Sequence, residues 1–314
     1  MKQIKRFLKD FALIRKFLQK RNNYLSQKSN RKSFKTLQEN GSLLHTLSHE
    51  QEEHWKPRIQ LLLESSDNEK ILHTSKAGKF NKDYNLVMHN GLIIDSLSYY
   101  GLPMLEALFK NKGVHEPQEE YAFQEVLKDI PDSGVMIELG SYWSFYSMWF
   151  NLKIKNPTNY MVEPENVDSG IRNFTLNKMK GNFTKAYISD CSGKTKVESE
   201  TPTICIDDFI KEKNIEFVDI LHSDIQGYEL LMLKGAEETL DKKNIGYIFV
   251  STHSQDLHFK CMDYLKLKGY ILVCSSDLDE SYSWDGLLVF KNPDYNGLET
   301  INISKREVNK RATT

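Results

Sequence analysis

V-M-I-E-L-G-S-Y-W-S, Val135 to Ser144, reads as a strand that stops at a glycine and opens into a helix running through Phe150. The first five residues are an apolar run of strand length carrying one acid, Glu138, and Gly140 supplies the backbone freedom of a tight turn. Outward from this unit the same alternation repeats. Strands are expected at Tyr160–Val162, Phe183–Ile188, Val218–Leu221, Gly246–Val250, Tyr270–Cys274 and Leu287–Phe290, with helices over Asp168–Lys178, Tyr228–Leu240 and Leu257–Lys268. Strands alternating with helices of this length imply an α/β layered fold with a mostly parallel sheet. No helical pattern separates Val273 from Leu287, so the last two strands are expected as an antiparallel pair at the sheet edge.

Upstream, Leu86–Met88 and Leu92–Ile94 flank the turn residues His89, Asn90 and Gly91, as in a hairpin. Helices are expected at Pro103–Asn111 and at Pro117–Asp129, whose proline suits a first helical turn. Residues 22 to 80 are polar, with short helical patches at Leu43–Leu47 and Ile59–Leu63. The expected division is a basic and polar helical, partly flexible N-terminal region over 1–80, the main α/β domain over 81–295 and a tail over 296–314.

The formal net charge of −1 conceals an asymmetry. Residues 1–35 carry 12 Lys or Arg against the single acid Asp10, which leaves 30 bases against 42 acids elsewhere. Ile4, Phe7, Leu8, Phe11, Ile14, Phe17 and Leu18 recur at helical spacing within that basic segment, so an amphipathic helix is expected. It has two readings: packing against the body or a second subunit, or docking on an anionic membrane surface or a partner protein. Nucleic acid is not expected as a partner, because the main body is acidic. The sequence leaves the oligomeric state open.

With 39% hydrophobic residues, 16 Gly and 8 Pro in 314, collagen-like and wholly disordered classes are excluded. No apolar run reaches the roughly 18 to 20 residues of a membrane span, and charges interrupt the N-terminus too often for a secretory signal, so a cytoplasmic location is expected. Cys191, Cys205, Cys261 and Cys274 form no C-x-x-C pair, so neither a zinc knuckle nor a redox dithiol is expected, and no metal is assigned.

In an open α/β sheet, ligands lie beyond the carboxyl ends of the strands. Four such ends carry acids or imidazoles. At the first, Glu138-x-Gly140 is either a nucleotide-binding turn or merely a turn that needs a glycine; Tyr142 occupies the place of the second glycine of a dinucleotide fingerprint and disfavours NAD or FAD. At the second, Glu163 stands 23 residues after Gly140, close to the spacing of an acid that accepts hydrogen bonds from ribose hydroxyls, the alternative being a solvated carboxylate. At the third, His222 and Asp224 share one face of the strand end, Gln226 and Gly227 turn the chain, and Glu229 opens the next helix, where it either faces a ligand or complements the helix dipole. At the fourth, Ser251, Thr252 and His253 follow the apolar run, and an imidazole there suits a general base. His258 is expected as a surface residue of the following helix. His45, His49, His54 and His73 lie in the polar N-terminal region and receive no role.

From about Asn90 to Pro293, two thirds of the chain, the sequence resembles the FkbM-type family of S-adenosylmethionine-dependent methyltransferases. The resemblance is carried by I-E-L-G (Ile137–Gly140), E-P (Glu163–Pro164), S-D near Asp190, I-D-D-F (Ile206–Phe209) and, most specifically, D-I-Q-G-Y-E-L-L-M-L-K-G-A (Asp224–Ala236). The family more usually reads K-x-D-x-E-G at the last place, where this chain has His222 and Gln226. G-V-H-E-P-Q-E-E, Gly113–Glu120, is similar to a subset of the family and adds His115 and Glu116 as site candidates.

The resemblance implies a class I, Rossmann-like methyltransferase fold and S-adenosylmethionine as cofactor. It implies cofactor contacts from Glu138, Gly140 and Ser141 at the methionine end, from Glu163 at the ribose and from Asp190 near the adenine. Asp224 and His253 then face the acceptor, His253 as base and Asp224 orienting it or the substrate, with His222, Gln226, Glu229, His115 and Glu116 as substrate-side residues. The implied reaction is O-methylation of a hydroxyl on a small molecule or glycan, a sugar first. Two other classes stay open: a methyltransferase-fold module that binds without turnover, suggested by His222 and Gln226, and a nucleotide-sugar-using enzyme.

Overall fold

The computed structural model describes residues 30–43, 48–194 and 201–307. The amphipathic pattern of residues 4–18 lies outside them. The chain divides into two compact units, Met1–Glu53 and His54–Thr314. In the first, residues 30–40 are helical. Among the described residues no helix is long and apolar enough to cross a membrane.

The second unit is built on a seven-stranded sheet. Its strands in chain order are β1 (Val135–Leu139), β2 (Thr158–Val162), β3 (Asn182–Thr184), β4 (Val218–Ser223), β5 (Ile245–Thr252), β6 (Ile271–Ser276) and β7 (Gly286–Lys291). Their spatial order is β3-β2-β1-β4-β5-β7-β6. The first five run parallel, and β7 is antiparallel to both β5 and β6. This is the strand order of the class I methyltransferase fold, with the expected antiparallel pair at the edge.

β4 and β5 are buried along their whole length. A strand covered on both faces must be a nearly continuous apolar run, as I-G-Y-I-F-V is. One face packs Ile137, Leu139, Val162, Leu221, Ile248, Val250 and Phe290 into the main core. Over the other face helix α1 (Pro117–Val126) lays Phe123 against His222 and Phe249. Helix α2 (Phe145–Lys153) adds Tyr146 and Trp149 to the same aromatic layer. Full burial of a side chain such as Phe249 is worth on the order of 2 to 3 kcal/mol.

The parallel register sets the site. Leu139 pairs with Val162 on one side and with Ser223 on the other, and Ser223 pairs with Val250. The strands therefore end level, and Gly140, Glu163, Asp224 and the residues after Val250 emerge along one edge. The order reverses between β1 and β4, the switch point at which such sheets bind ligands.

Two expected elements are split by tertiary contacts. The run Phe183–Ile188 leaves the main sheet after Thr184, and Tyr187–Ile188 pairs instead with Pro202–Ile204 in a small three-stranded sheet. The expected helix Tyr228–Leu240 is two helices, Glu229–Lys234 and Glu237–Asp241. Gly235 lies so close to Ser189 that a Cβ would meet its carbonyl oxygen at 2.3 Å. The Gly235 carbonyl accepts the Asp207 N–H at 2.9 Å, and the Asp207 carboxylate accepts the N–H groups of Glu238 and Thr239 at the start of the second helix. The hairpin is present as Leu86–Val87 against Ile93–Ile94.

Candidate active site

The turn after β1 is constrained by the protein's own backbone. Gly140 has φ +71°, and a Cβ on it would lie 1.8 Å from the Asp224 carbonyl oxygen. Asp224 N–H donates to Leu139 O at 3.0 Å, and Gly140 and Ser141 both donate to Val162 O. Gly140 is thus required where β1 and β4 approach each other. Beyond it Tyr142 (φ +40°) and Ser144 (φ +60°) are also left-handed, a conformation that costs a non-glycine residue about 1 to 3 kcal/mol and persists only where the surroundings impose it.

Glu163 supplies part of that imposition. One carboxylate oxygen accepts the Tyr142 N–H at 3.0 Å and the other accepts those of Glu165 and Asn166, each at 2.9 Å. The carboxylate is oriented and 7% exposed. Among the described residues, the buried hydroxyls of Ser141 and Ser144 have no hydrogen-bond partners. Orphaned buried hydroxyls cost free energy unless a ligand completes them, so the turn fits the polar end of an amino-acid-bearing nucleoside. Glu138 is buried beneath the turn and accepts the Ser147 N–H at 3.2 Å; burial raises its pKa to about 7, despite the opposing charge of His222.

The cluster at the ends of β4 and β5 is organised around His253. Its Nδ1 is 2.7 Å from Glu229, while Nε2 is 3.2 Å from Asp224 and 3.5 Å from Asp285. Burial alone would lower the imidazole pKa, but the close carboxylates of Asp224 and Glu229 and the charge of Asp285 raise it to about 10. His253 is therefore an imidazolium at neutral pH. Burial and the charge of Asp224 push Asp285 up to about 7, against the pull of His253. The Asp224 side chain is 35% exposed and that of Glu229 is sealed. Gln226, exposed and with φ +56°, lies 3.4 Å from Asp224 through its amide nitrogen.

A second cluster lies behind, under α1. His222 is 2% exposed and bonded to Glu119 at 2.6 Å, and Ser251 donates to the other oxygen of Glu119 at 2.9 Å. Burial opposes charge on His222, but the bond to Glu119 and the charges of Glu119, Glu138 and Glu116 outweigh it and raise its pKa. His115 is buried between Glu120 (2.6 Å) and Glu116 (3.3 Å), and these carboxylates lift its pKa to about 10 against desolvation. Tyr146 donates to Glu116 at 2.9 Å, and His89 pairs with Glu120 at 2.8 Å. His115, Glu116 and His222 thus belong to this sealed layer and not to the open edge. Among the described residues no group of His, Cys, Asp and Glu is arranged to hold a metal.

Asp190 stands apart from both clusters. It is exposed beside the small sheet, and its carboxylate accepts the Ser189 hydroxyl. His258 corrects an expectation: it is buried, not on the surface, with Nδ1 2.9 Å from the Thr252 hydroxyl. Gly286 makes the room, since a Cβ there would meet both groups within 2.8 Å.

Three groups beside the open cluster escaped the sequence reading: Asp285, Trp284 and Arg58. The signal for the first two was present. An antiparallel strand begins at the edge where its parallel neighbours end, and Gly286 pairs with Thr252. The residues just before β7 were therefore due beside His253.

Level strand ends, a turn after β1 with orphaned hydroxyls, an oriented acid after β2 and a carboxylate–imidazole cluster after β4 and β5 define an S-adenosylmethionine-dependent methyltransferase of class I. A family model described as the methyltransferase FkbM domain matches residues 108–272, more than half of the chain. The chain belongs to that family.

No curated protein matches it. Among solved structures it is similar to TrmK of M. capricolum bound to S-adenosyl-homocysteine, with 12% identity, TM-score 0.37, and 58% of this chain and 70% of that chain covered. A putative tRNA (m1A22) methyltransferase of Streptococcus pneumoniae in complex with S-adenosyl-L-methionine has 16% identity and TM-score 0.36, covering 58% and 74%. Ribosomal protein L11 methylase of Lactobacillus delbrueckii subsp. bulgaricus has 10% identity and TM-score 0.40, covering 57% and 80%.

Proposed function

We propose that the chain transfers a methyl group to a hydroxyl, that of a sugar or glycan, with Asp224 as the group that takes the hydroxyl proton. The observation that carries this reading is the Asp224–His253–Glu229 arrangement beside the turn after β1. S-adenosylmethionine supplies, when bound, a methyl carbon made electrophilic by a sulfonium. Glu163 is assigned to its ribose, and Ser141 with Glu138 and Gly140 to its methionine end.

The chain's own part is alignment and proton removal. A hydroxyl at the edge of β4 meets Asp224, the most open carboxylate of the cluster. Glu229 fixes the His253 ring from behind, and the imidazolium holds Asp224 in place. The pKa of about 10 on His253 favours a division of labour opposite to the one expected from the sequence. A group that already carries its proton does not accept another, which supports Asp224 as the base and His253 as the positioning residue.

Calorimetric titration with S-adenosylmethionine, beside NADH and a nucleotide sugar, tests the cofactor side. Selective binding of the first is expected. Product mass spectrometry on a panel of sugar, amine and thiol acceptors then tests the reaction; methylation confined to amines or thiols would overturn the hydroxyl reading.

A further inference from the structure

Arg58 lies on a helix, His49–Glu64, that precedes the sheet, and it is only 9% exposed. Among the described residues its buried Nε has no hydrogen-bond partner, and no ion pair joins the guanidinium to a carboxylate within 4 Å. It rests on aromatic rings instead: Cζ is 4.7 Å from the ring centre of Trp284, 5.4 Å from Trp55 and 5.9 Å from Tyr100. Trp55 and Trp284 are nearly parallel, 11° apart in plane with centroids 6.4 Å apart, and His54 stands edge-on to both. Trp284 is 39% exposed and Tyr100 47%.

This platform spans the two halves of the site. Tyr100 packs edge-on against Tyr142 at 5.6 Å, and Tyr142 N–H is the group held by Glu163. Trp284 adjoins Asp285, which faces His253 Nε2. The charge of Arg58 acts on both sides, lowering the pKa of Tyr100 and of Asp285 against the burial that raises them.

A guanidinium set against aromatic rings still offers N–H donors to planar oxygen groups, which it grips with two parallel hydrogen bonds. An arginine buried without such a partner is costly, and the cost is recovered when an anion arrives. The carboxylate of Asp224 acts on the same Tyr100 that Arg58 faces, so an anion would be favoured only where the arginine holds it. The indole faces offer flat apolar area to the C–H face of a sugar ring.

We propose that Arg58, Trp55 and Trp284 form the acceptor subsite and that it takes an acidic sugar, the ring lying on Trp284 and the carboxylate or phosphate oxygens on Arg58. The role as acceptor subsite rests on the methyl-transfer reading above; the binding does not.

Calorimetry on the full chain with methyl glucuronide, glucose 6-phosphate and methyl glucoside tests it. At least one acidic sugar is expected to bind at least tenfold more tightly than the neutral one, and comparing the two acids separates carboxylate from phosphate. R58Q is expected to erase that preference while S-adenosylmethionine binding is unchanged. W284A, at a ring 39% exposed, is expected to weaken the acidic sugar at least tenfold, its folding checked by circular dichroism. Equal binding of acidic and neutral sugars, or an acid preference that survives in R58Q, overturns the proposal; if R58Q fails to fold, unweakened acid binding by W284A does so. Failure of S-adenosylmethionine binding while acidic sugars still bind through Arg58 would instead sink the methyl-transfer reading and leave the subsite standing.

Discussion

The open cluster at the ends of β4 and β5 and the sealed cluster under α1 are made from the same side chains. Each sets histidines among carboxylates at hydrogen-bond distance: His253 with Asp224 and Glu229, and His222 and His115 with Glu119, Glu116 and Glu120. They differ in access. The Asp224 side chain is 35% exposed, whereas those of the sealed carboxylates are 9% or less. A carboxylate that a substrate can reach can take a proton from it. One enclosed by a helix and an aromatic layer holds that helix to the sheet and fixes the position of what lies in front. Residue type alone therefore does not separate catalysis from architecture; solvent access does.

Four substitutions or titrations sharpen this contrast. In the open cluster, Asp224→Ala is expected to reduce transfer by about 10²- to 10⁴-fold, the range of a general base, with the melting temperature and S-adenosylmethionine affinity near wild type. A large fall in melting temperature would place Asp224 with the architectural carboxylates. In the sealed cluster, Glu119→Ala is expected to do the opposite. It removes the hydrogen-bond partner of the buried His222 ring and of the Ser251 hydroxyl and should cost about 1 to 3 kcal/mol for each buried group left unsatisfied, read by denaturant titration; a neutral result there would deny the cluster its structural role.

Glu163→Ala is the next largest. It removes the acceptor of three backbone N–H groups and, on the assignment above, the ribose contact, so cofactor affinity should fall about tenfold or more by calorimetry. The same affinity in the variant would remove Glu163 from the cofactor site.

The smallest effect is in pH. The folded-state pKa of His253 is raised from 6.5 to about 10, so the imidazolium stabilises the fold fully below about pH 6.5. That contribution declines as pH rises from 6.5 and is lost through about 10. His115 acts in the same direction over the same window. His253→Gln should flatten part of the alkaline decline in melting temperature and leave the share due to His115. In turnover, kcat/KM should fall above about pH 10, as the imidazolium that holds Asp224 is lost. A rise up to that pH would instead make neutral His253 the base.

The sheet was legible in the sequence because each central strand is a short apolar run closed by a glycine, a proline or a charged residue: Val135–Leu139 before Gly140, Tyr160–Val162 before Glu163 and Pro164. The level strand ends then place Glu163, Asp224 and His253 together with no further information. Other features depend on partners distant in the chain. The break at Gly235 follows from a contact with Ser189, and the burial of His258 from the missing side chain of Gly286. Glu119 went unread because a helix of mixed composition gives no sign that its acidic face turns inward to meet β4. Arg58 lies far upstream in a polar stretch, and only the folded chain brings it beside Asp285.

The contact between Gly140 and Asp224 links the two ends of the reaction. Asp224, assigned to the proton, donates its backbone N–H to Leu139 at the end of β1, and its carbonyl oxygen lies too close to Gly140, in the turn assigned to the methyl donor, for a single methyl group there. The separation between donor and acceptor is thus settled when the chain folds, and neither side has to search for the other after the ligands arrive. The entropy of alignment is spent during folding rather than in each catalytic cycle. For the same reason, an insertion in either turn would shift both at once, so changes in acceptor preference would have to come from the periphery, where Arg58, Trp55 and Trp284 stand.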